Sequence, residues 1–135
     1  MAQKVGKYQH ERNENLDGYF KAVGVPYIPR KMVLTASPTL EIKQEGDKWT
    51  IRTISIMCTS EITFTLEKEF EEAMASGVTL KNVAKIEGDS IIITSTGPNV
   101  EKTVRKYDFT DEQVILTMTH EQSGQVAKRF FKRIA

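Results

Sequence analysis

Apolar and polar residues alternate along most of the chain after residue 37, in short runs that are separated by turn residues. Each run is rich in Thr, Ile, Val and aromatic residues, which favour β-strands. The runs cover 38–45, 48–56, 58–65, 78–86, 89–96, 101–109, 112–119 and 125–134. Short strands at a spacing of about ten residues predict an antiparallel barrel or sandwich.

The segment 13–36 has a helical period instead. Four apolar residues recur at helical intervals: Leu16, Tyr19, Phe20 and Val23. Asn13 or Asn15 can cap this helix through its side chain. A glycine and two prolines, including Pro29, then interrupt the pattern, and a second short helix is expected over 30–37. The predicted order is therefore a strand, two short helices and a long series of strands.

The segment 66–75 gives a conflicting pattern. Leu66, Phe70 and Met74 are four residues apart with carboxylates between them, which is the composition of an amphipathic helix. The neighbouring segments are strands, however, and tertiary context overrides so short a helical pattern. We therefore predict a strand here.

Composition narrows the class of protein. A chain of 135 residues is long enough for one domain with a real core, so residues 1–135 are expected to form a single domain. Cys58 is the only cysteine, which excludes an internal disulfide and predicts a free thiol. Met1 is followed by polar residues, and no apolar run approaches the roughly 20 residues that span a bilayer. We expect a cytoplasmic protein.

The sequence contains none of the usual patterns of an enzyme. Its 8 glycines are scattered, and its two histidines, His10 and His120, lie 110 residues apart without a nucleophile pattern. The acidic residues of 67–72 lack the spacing of a calcium loop. We therefore predict no catalysis, no metal site and no cofactor.

A nucleic-acid-binding barrel is a remote alternative. Basic and aromatic residues interleave in 128–133, which favours it, but the net charge of the chain is only +1.

Four segments resemble one known family, the intracellular lipid-binding proteins, which include the cytosolic fatty-acid-binding and retinoid-binding proteins. They are GKYQHERNENLDGYFKAVGV (6–25), KQEGDKWTIRT (43–53), LEKEFEE (66–72) and LTMTH (116–120). The first is the most specific, since Asn15, Asp17, Tyr19 and Lys21 follow the family's spacing. The chain departs from the family at His10, where an apolar residue is usual, and at Leu16, where Phe or Tyr is usual.

The resemblance implies an all-β fold: a ten-stranded antiparallel up-and-down barrel that a helix-turn-helix lid at about 14–36 closes. Ten strands enclose more volume than inward side chains fill, so a cavity is expected. The implied function is intracellular binding and transport of a long-chain fatty acid or a similar hydrophobic carboxylate by a monomer. A carrier of a retinoid, a bile acid or another bulky lipid is the alternative.

The last strand is expected to bind the carboxylate. Members of the family usually carry Arg-x-Tyr here with both side chains inward, and the matching residues are Arg129 and Phe131. A guanidinium holds a carboxylate through two parallel hydrogen bonds. The alternation of 103–109 places a second cation, Arg105, inside with Tyr107, and Lys106 remains the alternative for that role.

Further ligand contacts are implied by family positions on the lid and on two strands: Tyr19, Phe20, Thr53, Ser55, Met57, Leu116 and Met118. Lys21, Arg30 and Lys31 match a basic trio on the lid that forms a nuclear-import surface in some members of the family. The same trio could contact anionic membranes during ligand transfer, or it could be a solvated helix face.

Overall fold

The computed structural model describes residues 3–55, 59–73, 79–97 and 100–135. Ten antiparallel strands form one sheet in the order β4-β3-β2-β1-β10-β9-β8-β7-β6-β5, which confirms the predicted barrel. The elements follow one another along the chain as β1 (Gly6–Glu14), α1 (Leu16–Ala22), α2 (Tyr27–Thr35), β2 (Thr39–Glu45), β3 (Lys48–Ile54), β4 (Thr59–Thr65), β5 (Phe70–Ala73), β6 (Thr79–Glu87), β7 (Ser90–Gly97), β8 (Val100–Phe109), β9 (Gln113–His120) and β10 (Gln125–Arg133).

The barrel is nearly closed at β4 and β5, the two ends of the sheet. No ladder joins these two strands within the described ranges. The rings of Phe64 on β4 and Phe70 on β5 stack across the gap with centroids 5.4 Å apart. Two open clefts of about 310 and 320 Å³ are lined by residues of this seam. An aromatic contact thus takes the place of backbone hydrogen bonds at this seam.

The alternation seen in the sequence separates the inside of the barrel from its outside. On β9 the residues Val114, Leu116 and Met118 are buried, and the residues between them are partly exposed. On β10 the buried residues are Ala127, Arg129 and Phe131. Successive side chains of a strand point to opposite faces, so these residues line the interior.

The ambiguous segment 66–75 contains a strand, as predicted, but the strand is short. Leu66–Glu69 form a turn in which Glu67 has a positive φ of 63°, and β5 follows at Phe70. Pairing with β6 and stacking against Phe64 outweigh the helical composition. Residues 74–78 lie outside the described residues, as do residues 56–58, which include Met57 and Cys58.

The first helix forms where it was predicted, but its expected side-chain cap is absent. Asn15 occupies the N-cap position in the left-handed conformation, with φ at 51°. Its side-chain amide instead donates to Gln125 Oε1 and to the carbonyl oxygen of Val126, both at 2.9 Å. Asn15 therefore joins the start of α1 to the start of β10.

The second helix begins earlier than predicted. It starts at Tyr27 with Pro26 at the N-cap position, so Pro29 lies inside its first turn. The expected start at residue 30 was wrong, because N–H groups of the first turn have no acceptor within the helix and a proline there loses no hydrogen bond. Neither helix of the described residues is long and apolar enough to cross a membrane.

Candidate ligand-binding site

Arg129 lies on the inner face of β10 and is only 8% exposed. Its Nε donates to Asn13 Oδ1 on β1 at 3.0 Å, and its guanidinium carbon lies 5.9 Å from the ring centroid of Phe131. Its Nη2 is buried and has no hydrogen-bond partner among the described residues. Burial lowers the pKa of Arg129 to about 10, while Tyr107 opposes that shift. The guanidinium thus keeps a donor that a ligand oxygen can satisfy.

Arg105 also faces inward, between Ile93 of β7 and Met118 of β9. Unlike Arg129, it has an acidic partner: its Nη2 lies 2.9 Å from Glu72 Oε1 on β5, and each side chain is 20% exposed. The same oxygen accepts a hydrogen bond of 2.9 Å from Asn82 Nδ2. Burial acts to lower the pKa of Arg105, but Tyr107 and Glu72 together raise it. The chain itself therefore neutralises this cation.

Lys106 points away from the interior. Its side chain is 48% exposed, and its ammonium lies 3.8 Å from Asp108. It pairs in register with Ile92 and Thr117 on the outer face of the sheet. This placement corrects the alternative in which Lys106 rather than Arg105 enters the cavity, because the two residues are neighbours on one strand and must face opposite sides.

Tyr107 is a candidate site residue that the sequence reasoning placed inside without giving it a role. It is 4% exposed. Burial raises the pKa of its phenol, and the charges of Arg105 and Arg129 act against that rise. A phenol within the field of both guanidinium groups can donate to an anion held beside them. Its position two residues from Arg105 was the feature of the sequence that could have identified it.

His10 and Asn13 were also missed. His10 Nε2 lies 2.6 Å from Asn13 Oδ1, and the His10 ring packs edge-on against Phe131 with centroids 5.5 Å apart. Burial lowers the pKa of His10, and Arg129 adds to that effect, whereas Asn13 opposes it. The departure from an apolar residue at position 10 was the only indication of this cluster in the sequence.

The remaining predicted contacts lie at different depths. Leu116 and Met118 are buried on the inner face of β9, 8% and 6% exposed, in register with Arg129 and Arg105 respectively. Tyr19 of α1 is buried, and burial raises the pKa of its phenol against the opposing effects of Arg105 and Thr103.

The other predicted contacts are less buried. Phe20 of α1 is partly buried and packs against the core. Thr53 and Ser55 are partly buried near the end of β3. Met57 lies outside the described residues.

The predicted basic trio divides into two kinds of residue. Lys21 is exposed, and the side chain of Lys31 is 47% exposed with its Nζ 4.0 Å from Asp17 Oδ1. Arg30 is different: its side chain is 13% exposed, and its Nε lies 2.7 Å from Asp17 Oδ1 on α1. Arg30 therefore fastens α2 to α1 and does not present a free charge to solvent, which corrects the expectation of three equivalent surface cations.

The lid also exposes apolar side chains that the sequence reasoning did not single out. Three residues of α2 are involved: Tyr27 is 64% exposed, Ile28 70% and Met32 39%. The ring of Tyr27 lies 5.4 Å from Lys31 Nζ. Apolar and basic groups thus share one exposed surface of the lid.

A nearly closed ten-stranded barrel with a buried cation and two covering helices belongs to the class of small barrels that can enclose a ligand. No protein-family model matches the chain. It is 43% identical over 133 residues to sodium/calcium exchanger regulatory protein 1 of Doryteuthis pealeii, with 98% of each chain covered. It is 35% identical over 133 residues to a fatty acid-binding protein of Tyrophagus putrescentiae, covering 98% of this chain and 99% of the relative.

A solved structure of the REP1-NXSQ fatty acid transporter superposes with a TM-score of 0.88 at 35% identity, covering 97% of this chain and 96% of that one. The chain belongs to the fatty-acid-binding proteins of the intracellular lipid-binding family. The resemblance noted in the sequence is thereby confirmed.

Proposed function

We propose that this protein binds a long-chain fatty acid or a similar hydrophobic carboxylate inside the barrel and carries it through the cytoplasm without chemical change. Residues 1–135 act as one binding domain and as a monomer, without a catalytic role. The observation that carries the proposal is the buried Nη2 of Arg129, a charged donor beside the hydrophobic core and without a partner among the described residues. Family membership and the fatty acid named for two of its relatives support it.

Head group and chain contribute in different ways to this binding. Transfer of an acyl chain of about 16 carbons from water gains roughly 0.8 kcal/mol per methylene, or about 12 kcal/mol before costs. Association and ordering remove several kcal/mol, so affinities between micromolar and nanomolar are expected. The acyl chain of the ligand therefore supplies most of the affinity, and the cation of the protein selects and orients the carboxylate.

Arg129 is the cation that binds the carboxylate, because Arg105 already has Glu72 at 2.9 Å. Phe131 lacks the hydroxyl that the family usually provides on this strand. Tyr107 on β8, two strands from β10, supplies a phenol on the same inner face within the field of both arginines. We therefore assign it the role of second hydrogen-bond donor to the ligand.

Of the other candidate ligands, a nucleic acid fits the site less well. A nucleic acid would need the basic and aromatic residues of 128–133 on the outside, but Arg129 and Phe131 are buried inside the barrel. A retinoid, a bile acid or another bulky lipid would use the same guanidinium. Displacement of a bound fluorescent fatty acid by each of these ligands would rank them.

The test of the head-group role is Arg129→Gln. Oleate affinity should fall by about 1.5–3 kcal/mol, the value of a hydrogen bond to a charged group. The affinity for oleyl alcohol, which has the same chain without the charge, should change little. Lys128→Gln, on the exposed neighbouring position, is the matched control. An equal loss of affinity for acid and alcohol would contradict the proposal.

We further propose that the lid contacts anionic membranes when the ligand is transferred. Lys21 is exposed on α1, and Lys31 is exposed on α2 together with three exposed apolar residues; such a combination favours an anionic lipid surface. Ligand-dependent nuclear entry through the basic trio is the competing use of this surface. The engagement of Arg30 with Asp17 weakens that alternative, because it leaves fewer free cations.

A further inference from the structure

One oxygen atom links the proposed head-group cation to a histidine. Asn13 Oδ1 lies 3.0 Å from Arg129 Nε and 2.6 Å from His10 Nε2. A guanidinium N–H can only donate, so the Asn13 amide must turn its oxygen and not its nitrogen toward Arg129. The same oxygen then requires His10 to donate through Nε2. The three side chains thus have fixed hydrogen-bonding roles.

This arrangement determines which part of Arg129 is left for a ligand. The bond to Asn13 uses Nε, at the edge of the guanidinium nearest the backbone. Nη2 is then left buried without a partner among the described residues. The ring of His10 packs against Phe131, 5.5 Å between centroids, so the imidazole is held between Asn13 and the aromatic ring.

The proton of His10 is sensitive to the charge at this site. Two charged side chains act on the imidazole, Glu11 on its own strand and Arg129 on β10, and the backbone of Arg12 contributes a hydrogen bond. Burial lowers its pKa below the ordinary value of 6.5, and the positive charge of Arg129 lowers it as well. An anion bound to Arg129 would offset that positive charge.

We propose that Asn13 and His10 are positioning residues for Arg129, and that binding of a carboxylate at Arg129 is coupled to uptake of a proton by His10. The inference rests on the proposed function, since it assumes that the ligand head group lies at Arg129. It adds a dependence on pH that neither the fold nor the head-group assignment requires.

The sign of the coupling follows from linkage. The neutral form of His10 is favoured in the empty site, where its charged form would face Arg129. A bound carboxylate favours the charged form, so the pKa of His10 is higher with ligand than without it. By reciprocity, protonated His10 favours the bound carboxylate. Fatty-acid affinity should therefore rise as pH falls from the ligand-bound pKa to the ligand-free pKa, and should level off outside that window.

The coupling can be measured directly at the histidine. The chain has only two histidines, so the ring-proton NMR signals of His10 are assigned by their loss in His10→Gln and can be followed between pH 5 and 8. Oleate should raise the pKa of His10, each unit corresponding to about a tenfold change in affinity across the window. Oleyl alcohol should not raise it. An unchanged pKa with oleate, or an equal rise with the alcohol, would overturn the coupling.

Affinity profiles provide the second measurement. For the wild type, oleate binding should strengthen toward acid pH, whereas oleyl alcohol binding should not. His10→Gln keeps a donor for Asn13 but does not titrate, so its oleate profile should be flat. His120→Gln, at the other histidine and beside Ser123, should keep the wild-type profile. A wild-type slope in His10→Gln would refute the proposal.

The positioning role of Asn13 is tested by Asn13→Leu, with Asn13→Ser as a second variant of smaller volume. Loss of the acceptor releases Arg129 Nε, and oleate should bind about tenfold more weakly while oleyl alcohol is unaffected. Equal effects on acid and alcohol would mean a purely structural role. If Arg129→Gln distinguishes acid from alcohol but the Asn13 and His10 variants do not, the proposed function stands and this inference fails.

Discussion

Arg105 and Arg129 are the same kind of residue on the same inner face, yet their surroundings leave them different tasks. Arg105 is neutralised by Glu72 at 2.9 Å, whereas Arg129 donates through Nε to the neutral Asn13. A buried cation without a counter-charge is costly, and a ligand carboxylate can offset that cost. Glu72 therefore limits the number of unpaired cations that the site offers to a ligand.

Replacing Glu72 with Gln should leave Arg105 without its counter-charge. We expect the free energy of unfolding to fall by about 2 kcal/mol, below the 3–5 kcal/mol of a fully buried pair because water reaches both side chains. Oleate should then stabilise the variant more than it stabilises the wild type, because the ligand can supply the missing charge. Thermal unfolding with oleate and with oleyl alcohol measures both effects.

Glu71→Gln is the control for this experiment. Glu71 is the exposed neighbour on the same strand and pairs in register with Lys81 of β6, so its replacement should change stability by less than about 0.5 kcal/mol. If the two variants behave alike, the ion pair between Glu72 and Arg105 contributes nothing specific.

Some of the site could be predicted from sequence and some could not, for a physical reason. Alternation along 103–109 predicts that Arg105 faces inward, and the family resemblance predicts the same for Arg129 and Phe131; both predictions use local sequence. The partners of the two arginines are remote, since Glu72 is 33 residues from Arg105 and Asn13 is 116 residues from Arg129. Such pairs depend on strand register across the barrel, which a single sequence does not determine.

At the scale of elements, the position of a segment in the fold had more influence on its secondary structure than its intrinsic propensity. The segment 66–75 has a helical composition, but it forms a turn and the short strand β5 because Phe70 stacks against Phe64 at the barrel seam. Pro29 reads as a helix breaker, but it lies in the first turn of α2, where it is tolerated. In both cases the residue pattern of the segment does not determine the element by itself, and the position of the segment in the fold does.

Asn15 shows the same dependence and allows a test. Asn15→Ala removes the hydrogen bonds to Gln125 and Val126 and puts a residue with less tolerance for the left-handed conformation at the start of α1. We expect a loss of about 2 kcal/mol, at roughly 1 kcal/mol for each hydrogen bond. Amide hydrogen exchange should quicken in α1 before it does in β10, because the helix is the less extensively bonded element.

Asn15→Gly separates the two causes. Glycine adopts a positive φ without strain, so this variant loses only the side-chain hydrogen bonds. It should therefore be more stable than Asn15→Ala. If the alanine variant is as stable as the wild type, the junction between α1 and β10 does not depend on Asn15.

At the scale of the whole molecule, the net charge of +1 does not show how unevenly basic and apolar residues are distributed over the surface. The lid combines Lys21 and Lys31 with exposed Tyr27 and Ile28, whereas Arg30 is held by Asp17. Near-zero net charge means that long-range attraction to a membrane is weak. Any membrane contact must then be local, and the lid is the surface that we propose for it.

The combined variant Lys21→Gln/Lys31→Gln tests whether that local contact delivers the ligand. Each basic group near an anionic surface is worth about 1 kcal/mol, so transfer of a fluorescent fatty acid to phosphatidylserine-rich vesicles should slow by up to about thirtyfold. Equilibrium affinity should not change, because both lysines are on the outside of the lid. Arg30 is left intact, since its replacement would loosen α2 from α1.

Lys48→Gln/Lys132→Gln is the matched control, because both lysines are exposed near the ends of β3 and β10 that lie opposite the helices. It removes the same charge, so any effect of net charge alone would appear in both double variants. Collisional delivery through the lid predicts that only the lid variant slows, and that the wild-type rate rises with the phosphatidylserine content of the vesicles. A wild-type rate that is independent of lipid charge would mean that the ligand leaves through water, since release into solution is set by the site and not by the acceptor membrane.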